Sequence, residues 1–360
     1  MPYRWPTKAM LRTTVLLLIA AVMLVACGQE TPQTTLNPHS DSARTIYDLS
    51  VFLFWLGVGV FVIVETWLIV SIIKYRHRYD DQLPAQIHGN TKVEIAWTIV
   101  PAIIAIFIFV ITFSAIQKIE FKPTGAAAGP EIKVEVIGHQ WWWEFRYPDI
   151  KDANGQSLVT ANEMWVPSGS VIDLAVTSTD VIHDFWIPGL AGKRDAMPNH
   201  VNPIWFRADD VPDGQPKVFW GQCAEYCGTQ HAYMKMRVVV ASPADFATWS
   251  SQQVDVAVNT SPPAAFAAKG SVGCHSIRGV PGAAGVTGRN LTHFASRQTL
   301  AAGTLDNTTE NLHRWLDEPN VVKRGNLMSA VIKDDSLSPE EINELVTYLE
   351  SLNPGMSAKQ

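Results

Sequence analysis

The sequence predicts a multidomain chain: a two-helix transmembrane hairpin, then an all-β sandwich, then a mostly helical last domain. Three observations carry this. Two apolar runs, from about Tyr47 to Ile73 and from about Val93 to Ile116, each exceed the ~20 residues needed to cross a bilayer as a helix. Between 119 and 245, short segments of period-two alternation recur, separated by Asp-Ala-Asn-Gly, Pro-Ser-Gly and Pro-Asp-Gly turns. From 262 to 355 the alternation gives way to helical spacing with long loops. With 360 residues, 47% hydrophobic and 17% charged, the chain is too long for one small domain and too apolar in its first third to be wholly soluble. A net charge of −6 without a long basic block argues against nucleic acid as a partner.

Residues 1–26 read as a signal peptide: Arg4, Lys8 and Arg12 precede the apolar stretch Val15 to Leu24, which ends in Leu24-Val25-Ala26-Cys27. Small residues before a cysteine resemble a bacterial lipobox, which would leave Cys27 lipidated; an uncleaved anchor with an idle thiol is the alternative. Residues 27–118 then hold a short lead and the hairpin, with helices at about 47–73 and 93–116. The intervening Lys74-Tyr75-Arg76-His77-Arg78 marks the cytoplasmic side, so everything after Ile116 faces outward. Two acids stand out here. Thr91 and Glu94 have the spacing of a capping box at the start of the second helix, and Glu65 lies inside the first, where a charge is expensive and faces a protein partner.

In the outer half, Ile132 to Ile137 opens the strands. Further strands are expected at Ser157 to Val166, Val171 to Ser178, Pro203 to Ala208, Lys217 to Trp220 and Lys235 to Val240. Short strands at this spacing suggest a Greek-key, cupredoxin-like sandwich over 119–245, with His183 on one loop and a cysteine cluster on another. From about Trp249 to Ala265 the Ser/Gln/Asn/Thr/Pro composition reads as a tether, giving a linker at 246–261. In the last domain, Ser338-Pro339-Glu340-Glu341 starts a helix with an N-cap hydroxyl and a proline at the first position. Ile342, Leu345, Val346 and Leu349 follow at helical spacing, and a similar helix is expected around Glu310 to Leu316.

Most of the chemistry is concentrated in Cys223-Ala-Glu-Tyr-Cys227-Gly-Thr-Gln-His231-Ala-Tyr-Met234. Soft thiolate and thioether sulfur mixed with imidazole suits copper better than any hard cation. One copper would need only one cysteine, so two suggest a dinuclear site, completed by an imidazole from His183 in Val181-Ile-His183-Asp-Phe-Trp. A structural zinc site and a Cys223–Cys227 disulfide are the competing readings.

This run, with His183 upstream and Gly138-His-Gln-Trp141-Trp142-Trp143 before both, resembles subunit II of cytochrome c oxidase over roughly residues 40 to 245. The resemblance implies a dinuclear copper A centre of two copper ions on a cupredoxin domain. Its ligands would be His183, Cys223, Cys227, His231, Met234 and the backbone carbonyl of Glu225, whose side chain can also hold magnesium at the border with subunit I. Trp141 would be the electron-entry tryptophan, an exposed docking surface, while Trp142 and Trp143 read as packing. Glu94 would open a proton pathway into subunit I, and Asp195 would lie near that subunit's border. The family's usual Pro-Gly turn reads Pro198-Asn199 here, and asparagine also tolerates positive φ.

The last domain resembles the cytochrome c domain fused to subunit II in caa-type oxidases over about 262 to 352. The resemblance rests on Gly270-Ser271-Val-Gly-Cys274-His275, Gly288-Arg-Asn-Leu-Thr-His293, Trp315-Leu-Asp-Glu-Pro319 and Gly325-Asn-Leu-Met328. It implies haem c held by one thioether at Cys274, because Ser271 replaces the first cysteine, with His275 and Met328 as axial ligands. Arg289 and Ser329 stand where the family usually has proline. The whole then reads as the electron-input subunit of a bacterial respiratory terminal oxidase, multi-pass in the inner membrane with its soluble domains outside. Cytochrome c would be its donor, and subunits I and III its partners. The alternatives are a membrane-tethered copper-binding or copper-delivery protein, which would not need Glu94, the tryptophans or the last domain, and a quinol oxidase subunit, which lacks the copper ligands.

Overall fold

The computed structural model describes residues 32–76, 89–124 and 129–354, with positions 15 and 17. The rest of the signal segment, Cys27 and the His77-Arg78 end of the basic loop lie outside the described residues.

From residue 32 onward, the first described elements are two long helices, α1 (Asp41–Lys74) and α2 (Thr91–Glu120). Almost none of their apolar side chains is buried, as on a surface that lipid or partner subunits cover. Both are longer than the apolar runs. At 1.5 Å per residue, α1 reaches about 50 Å, beyond the ~30 Å hydrocarbon layer, so its polar first turns stand outside it. There Ser40 caps the helix by accepting from the Ala43 N–H at 3.0 Å, and Ser42 donates to the Trp205 carbonyl at 3.2 Å, fixing the hairpin to the sandwich. The cap of α2 differs from expectation. Asn90, one residue before Thr91, accepts from the Lys92 and Val93 N–H groups, and Glu94 reaches back to the Asn90 N–H at 3.2 Å. A short amide side chain is a strong N-cap, so the helix is capped one residue earlier than the Thr91–Glu94 box would have it.

The sandwich has ten strands: β1 (Glu131–His139), β2 (Trp142–Lys151), β3 (Ser157–Ala161), β4 (Glu163–Pro167), β5 (Val171–Ser178), β6 (His183–Trp186), β7 (Arg194–Ala196), β8 (Asn202–Arg207), β9 (Lys217–Cys223) and β10 (Lys235–Ala241). They form two sheets, ordered β3-β2-β1-β5-β8 and β4-β10-β9-β6-β7. Both mix parallel and antiparallel pairs, because the chain crosses between them. The segment expected as one strand from Ser157 to Val166 is two strands in different sheets. Asn162, at φ 60°, makes the break, and its side chain accepts from the Trp143 N–H at 3.0 Å. His183 is not on a loop either: it opens β6, which pairs with β9 at Phe185 and Cys223. Trp143, Phe145, Tyr147 and Phe185 are fully buried between the sheets.

The tether expected from Trp249 begins later. Helix α3 (Pro243–Gln253), capped by Ser242, carries Trp249 flat against Trp165, with centroids 5.2 Å apart and planes at 7°. Burying an indole outweighs the polar composition around it, and the stretch without helix or strand shrinks to 254–263.

The last unit holds α4 (Ala264–Ala268), α5 (Ser271–Cys274), α6 (Thr309–Asp317), α7 (Pro319–Val322) and α8 (Pro339–Ser351). As the sequence suggests, α8 opens on a capping box between Ser338 and Glu341, and its apolar face packs on Phe266, Leu312 and Leu316. This unit docks on the cysteine-bearing end of the sandwich. The Lys235 N–H donates to Ala302 O at 3.1 Å, Trp142 packs with Ala302, and Gln230 donates to the Arg324 carbonyl.

Candidate metal centre

β9 ends at Cys223, a turn carries Cys227, and a single 3-10 turn from His231 to Tyr233 delivers Met234 to the start of β10. β6 places His183 alongside. Four contacts tie the donors together: Cys223 Sγ lies 3.7 Å from Cys227 Sγ and 3.9 Å from His183 Nδ1, and Cys227 Sγ lies 3.8 Å from both His231 Nδ1 and Met234 Sδ. The Glu225 carbonyl is 3.2 Å from Cys223 Sγ, while the Glu225 side chain is exposed. Both thiols are free and buried, so the disulfide reading does not describe this structure. His183, Cys223 and Cys227 converge closely enough to hold a metal ion, and the soft donor set fits copper.

The two sulfurs lie within hydrogen-bonding distance of each other. Hydrogen bonding to Cys227, reinforced by His183, pulls Cys223 well below the ordinary thiol range and pushes Cys227 up. Burial alone would lower His183, but the Asp180 carboxylate and Cys223 outweigh it and raise the imidazole. Asp180 Oδ1 sits 2.8 Å from His183 Nε2, which orients the ring so that Nδ1 faces the sulfurs. Space for that ring depends on Gly138, where a Cβ would meet His183 Cδ2 at 2.7 Å. Trp141 and Gln140 both donate to the Cys227 carbonyl at 2.9 Å. Asp180, Gln140 and the need for glycine at 138 escape the sequence reading. Only Asp180 left a signal there, a carboxylate three residues before a candidate ligand histidine.

Trp141 is half-buried rather than exposed, because the last unit covers it. Trp143 is core, and Trp142 stacks on His139 at 4.3 Å. Asp195 lies on β7 opposite Asp184, whose carboxyl is pushed up to about 6 by burial and then by Asp195. Asn199 takes φ 59°, so the turn after Pro198 survives. Glu94 and Glu65 are brought near neither sulfur nor cavity of the outer half: Glu94 caps α2, and Glu65 lines a groove between α1 and α2.

His275 and Met328 both line a cavity between the last unit and the sandwich, and its wall includes Trp141. His275 Nδ1 contacts the Arg289 carbonyl at 2.8 Å, leaving Nε2 for the cavity. That role belongs to the backbone, so arginine replaces proline without losing it. Gly288 is required against the ring, since a Cβ there would meet His275 Cε1 at 2.6 Å. Ser329 is held by Asn326, whose side chain accepts from its N–H at 3.0 Å and donates to its hydroxyl at 2.6 Å. Cys274, half-buried, lines an adjoining lobe together with His275 and Met328.

Comparison with known proteins gives a consistent picture. A model of the cytochrome c oxidase subunit II periplasmic domain matches residues 132–242, and one of the subunit II transmembrane domain matches residues 31–115. Cytochrome c oxidase subunit 2 of Alkalihalophilus pseudofirmus is 31% identical, covering 92% of this chain and 94% of its own. That of Bacillus sp. PS3 is 32% identical with the same coverage, 92% and 94%. Alignments of that extent run past residue 242 into the last unit. The crystal structure of the periplasmic domain of oxidase subunit II from Bradyrhizobium japonicum is 30% identical, covering 37% of this chain and 96% of that one at a TM-score of 0.31.

Proposed function

Because the chain belongs to the cytochrome c oxidase subunit II family, we propose that its cluster of two thiols, two imidazoles and a thioether is the copper A centre through which it feeds electrons to the oxidase. The chain is the electron-input subunit of a terminal oxidase, anchored by two transmembrane helices with its sandwich on the periplasmic side. It forms part of a haem-copper oxidase complex with subunit I. The copper-delivery alternative gives way to this.

The observation that carries the copper reading is the convergence of Cys223 and Cys227, 3.7 Å apart, with His183 on one side and His231 and Met234 on the other. Two copper ions bound there would supply a one-electron carrier. The protein's part is preorganisation. Asp180 fixes one imidazole, the Glu225 carbonyl faces the sulfurs, and burial of Cys223, Cys227 and Met234 keeps water out. Trp141 joins the Cys227 peptide to the cavity of the last unit, which makes it the entry residue. Glu225 offers an outward carboxylate for magnesium at the subunit I border, alongside Asp195. Glu94 takes the proton-entry role at the inner end of α2, and Glu65 contacts another subunit. Subunit III completes the assembly.

The last unit is read as a cytochrome c domain. Its cavity, flanked by His275 and Met328 with Cys274 alongside, fits a haem held by one thioether, which would supply a second one-electron carrier. Because this unit covers Trp141, soluble cytochrome c would deliver its electron to the fused domain rather than to the sandwich.

Purification of the whole oxidase tests both readings. Expected are a near-infrared copper band, two coppers on this chain and a pyridine haemochrome from haem c. Zinc in place of copper, or a Cys223–Cys227 disulfide in the active enzyme, would overturn the copper reading.

A further inference from the structure

The cavity of the last unit is mostly apolar, and its basic side chains differ between its two lobes. Its smaller lobe is lined by residues of the last unit alone, Cys274 among them. The larger lobe is walled on the sandwich side by Gln140, Trp141 and Asn162 and carries Arg289, Arg297 and Lys323. Among the described residues, no Asp or Glu lines either lobe.

Each cation is placed so that it still has capacity to donate. Lys323 is 3% exposed; its Nζ donates to the Trp141 carbonyl at 2.9 Å and the Tyr233 carbonyl at 3.1 Å, which leaves one N–H. Arg297 donates to the Asn290 carbonyl and has Glu163 nearby, but that carboxylate already accepts from the Gln298 and Thr299 N–H groups. The Arg289 guanidinium has no hydrogen-bond or ion-pair partner among the described residues. Burial, followed by repulsion from its cationic neighbours, pushes Arg289 down to about 9 and Lys323 well below the ordinary lysine range. Burying like charges around one cavity is costly unless an anion joins them.

We propose that Arg289, Arg297 and Lys323 form a subsite for two carboxylates, taken by the propionates of haem c, so that the propionate edge faces Trp141 and the opposite edge faces Cys274. This rests on the haem reading above. The shape of the cavity supports it: the residue that would form the thioether and the three cations line opposite lobes, with His275 and Met328 common to both. Arg289, a departure from the family pattern, keeps the carbonyl that holds His275 and adds a charge-assisted donor. Lys323 links the same edge to the Trp141 peptide, next to the sulfurs.

The test uses the purified oxidase carrying Arg289→Met or Arg289→Lys, with haem content read by pyridine haemochrome and haem c midpoint by redox titration. The near-infrared copper band reports that the rest of the chain is folded. In Arg289→Met, the ratio of reduced to oxidised haem c at fixed ambient potential is expected to fall about tenfold, the 59 mV of a one-electron couple. Arg289→Lys, which keeps the charge, should recover most of the loss. Haem retained with an unchanged midpoint in Arg289→Met would overturn the subsite while leaving the haem reading intact. Loss of haem from both variants with the copper band preserved would also overturn it. A wild-type oxidase without haem c would overturn the haem reading and the propionate assignment with it.

Discussion

The indole N–H of Trp141 donates to the carbonyl oxygen of Cys227 at 2.9 Å. A tryptophan on the rim of one cavity is thereby bonded to the peptide of a candidate copper ligand. Replacing Trp141 with Phe keeps an apolar ring but removes the donor. Stopped-flow reduction of the copper centre should slow by about tenfold or more, equivalent to ~1.4 kcal/mol of barrier, with copper content unchanged. An unchanged rate would mean electrons take another route.

Asp180 orients His183 through the 2.8 Å contact to Nε2. Asp180→Asn should leave the fold in place and weaken copper retention by roughly 10–100-fold, the usual cost of losing such a partner. Copper lost to a chelator over time is the readout. Retention equal to wild type would remove Asp180 from the site.

Glu163 lies under the last unit, 5% exposed, accepting from the Gln298 and Thr299 N–H groups. Burial pushes its carboxyl up to about 7 despite Arg297 nearby. An acid with a raised pKa binds its proton more tightly when folded, so the docked structure loses stability as pH rises from about 4.5 to about 7 and loses no more above that. At ~1.4 kcal/mol per pKa unit the loss is about 3 kcal/mol. Thermal melts of wild type should show this decline, and Glu163→Gln should flatten it. A decline of equal size in the variant would assign it to other groups.

Ser271 occupies the first turn of α5, three residues before Cys274, and lines both lobes of the cavity. Ser271→Cys should allow a second thioether to haem c, moving the pyridine haemochrome band to shorter wavelength and raising resistance to acid–acetone extraction. If the band stays where it is, the ring is seated differently from the proposal.

The last domain shows how far residue spacing reaches. Ser338 and Glu341 specify the start of α8 because a capping box is a local interaction, complete within four residues. The same locality makes Cys223, Cys227, His231 and Met234 legible as one donor set. Trp249 shows where composition misleads: the polar stretch around it read as a tether, yet stacking on Trp165, distant in sequence, made it helix.

The sequence by itself determined the hairpin, the alternating strands and the sulfur-rich loop, because hydropathy, period and ligand chemistry act over short range. Only the tertiary structure decided that Asn162 switches sheets, that Asp180 and Gly138 seat His183, and that the last unit covers Trp141 and brings Arg289, Arg297 and Lys323 around one cavity. Those arrangements arise from packing between segments far apart in the chain, where each contact depends on shape and burial that no local pattern encodes.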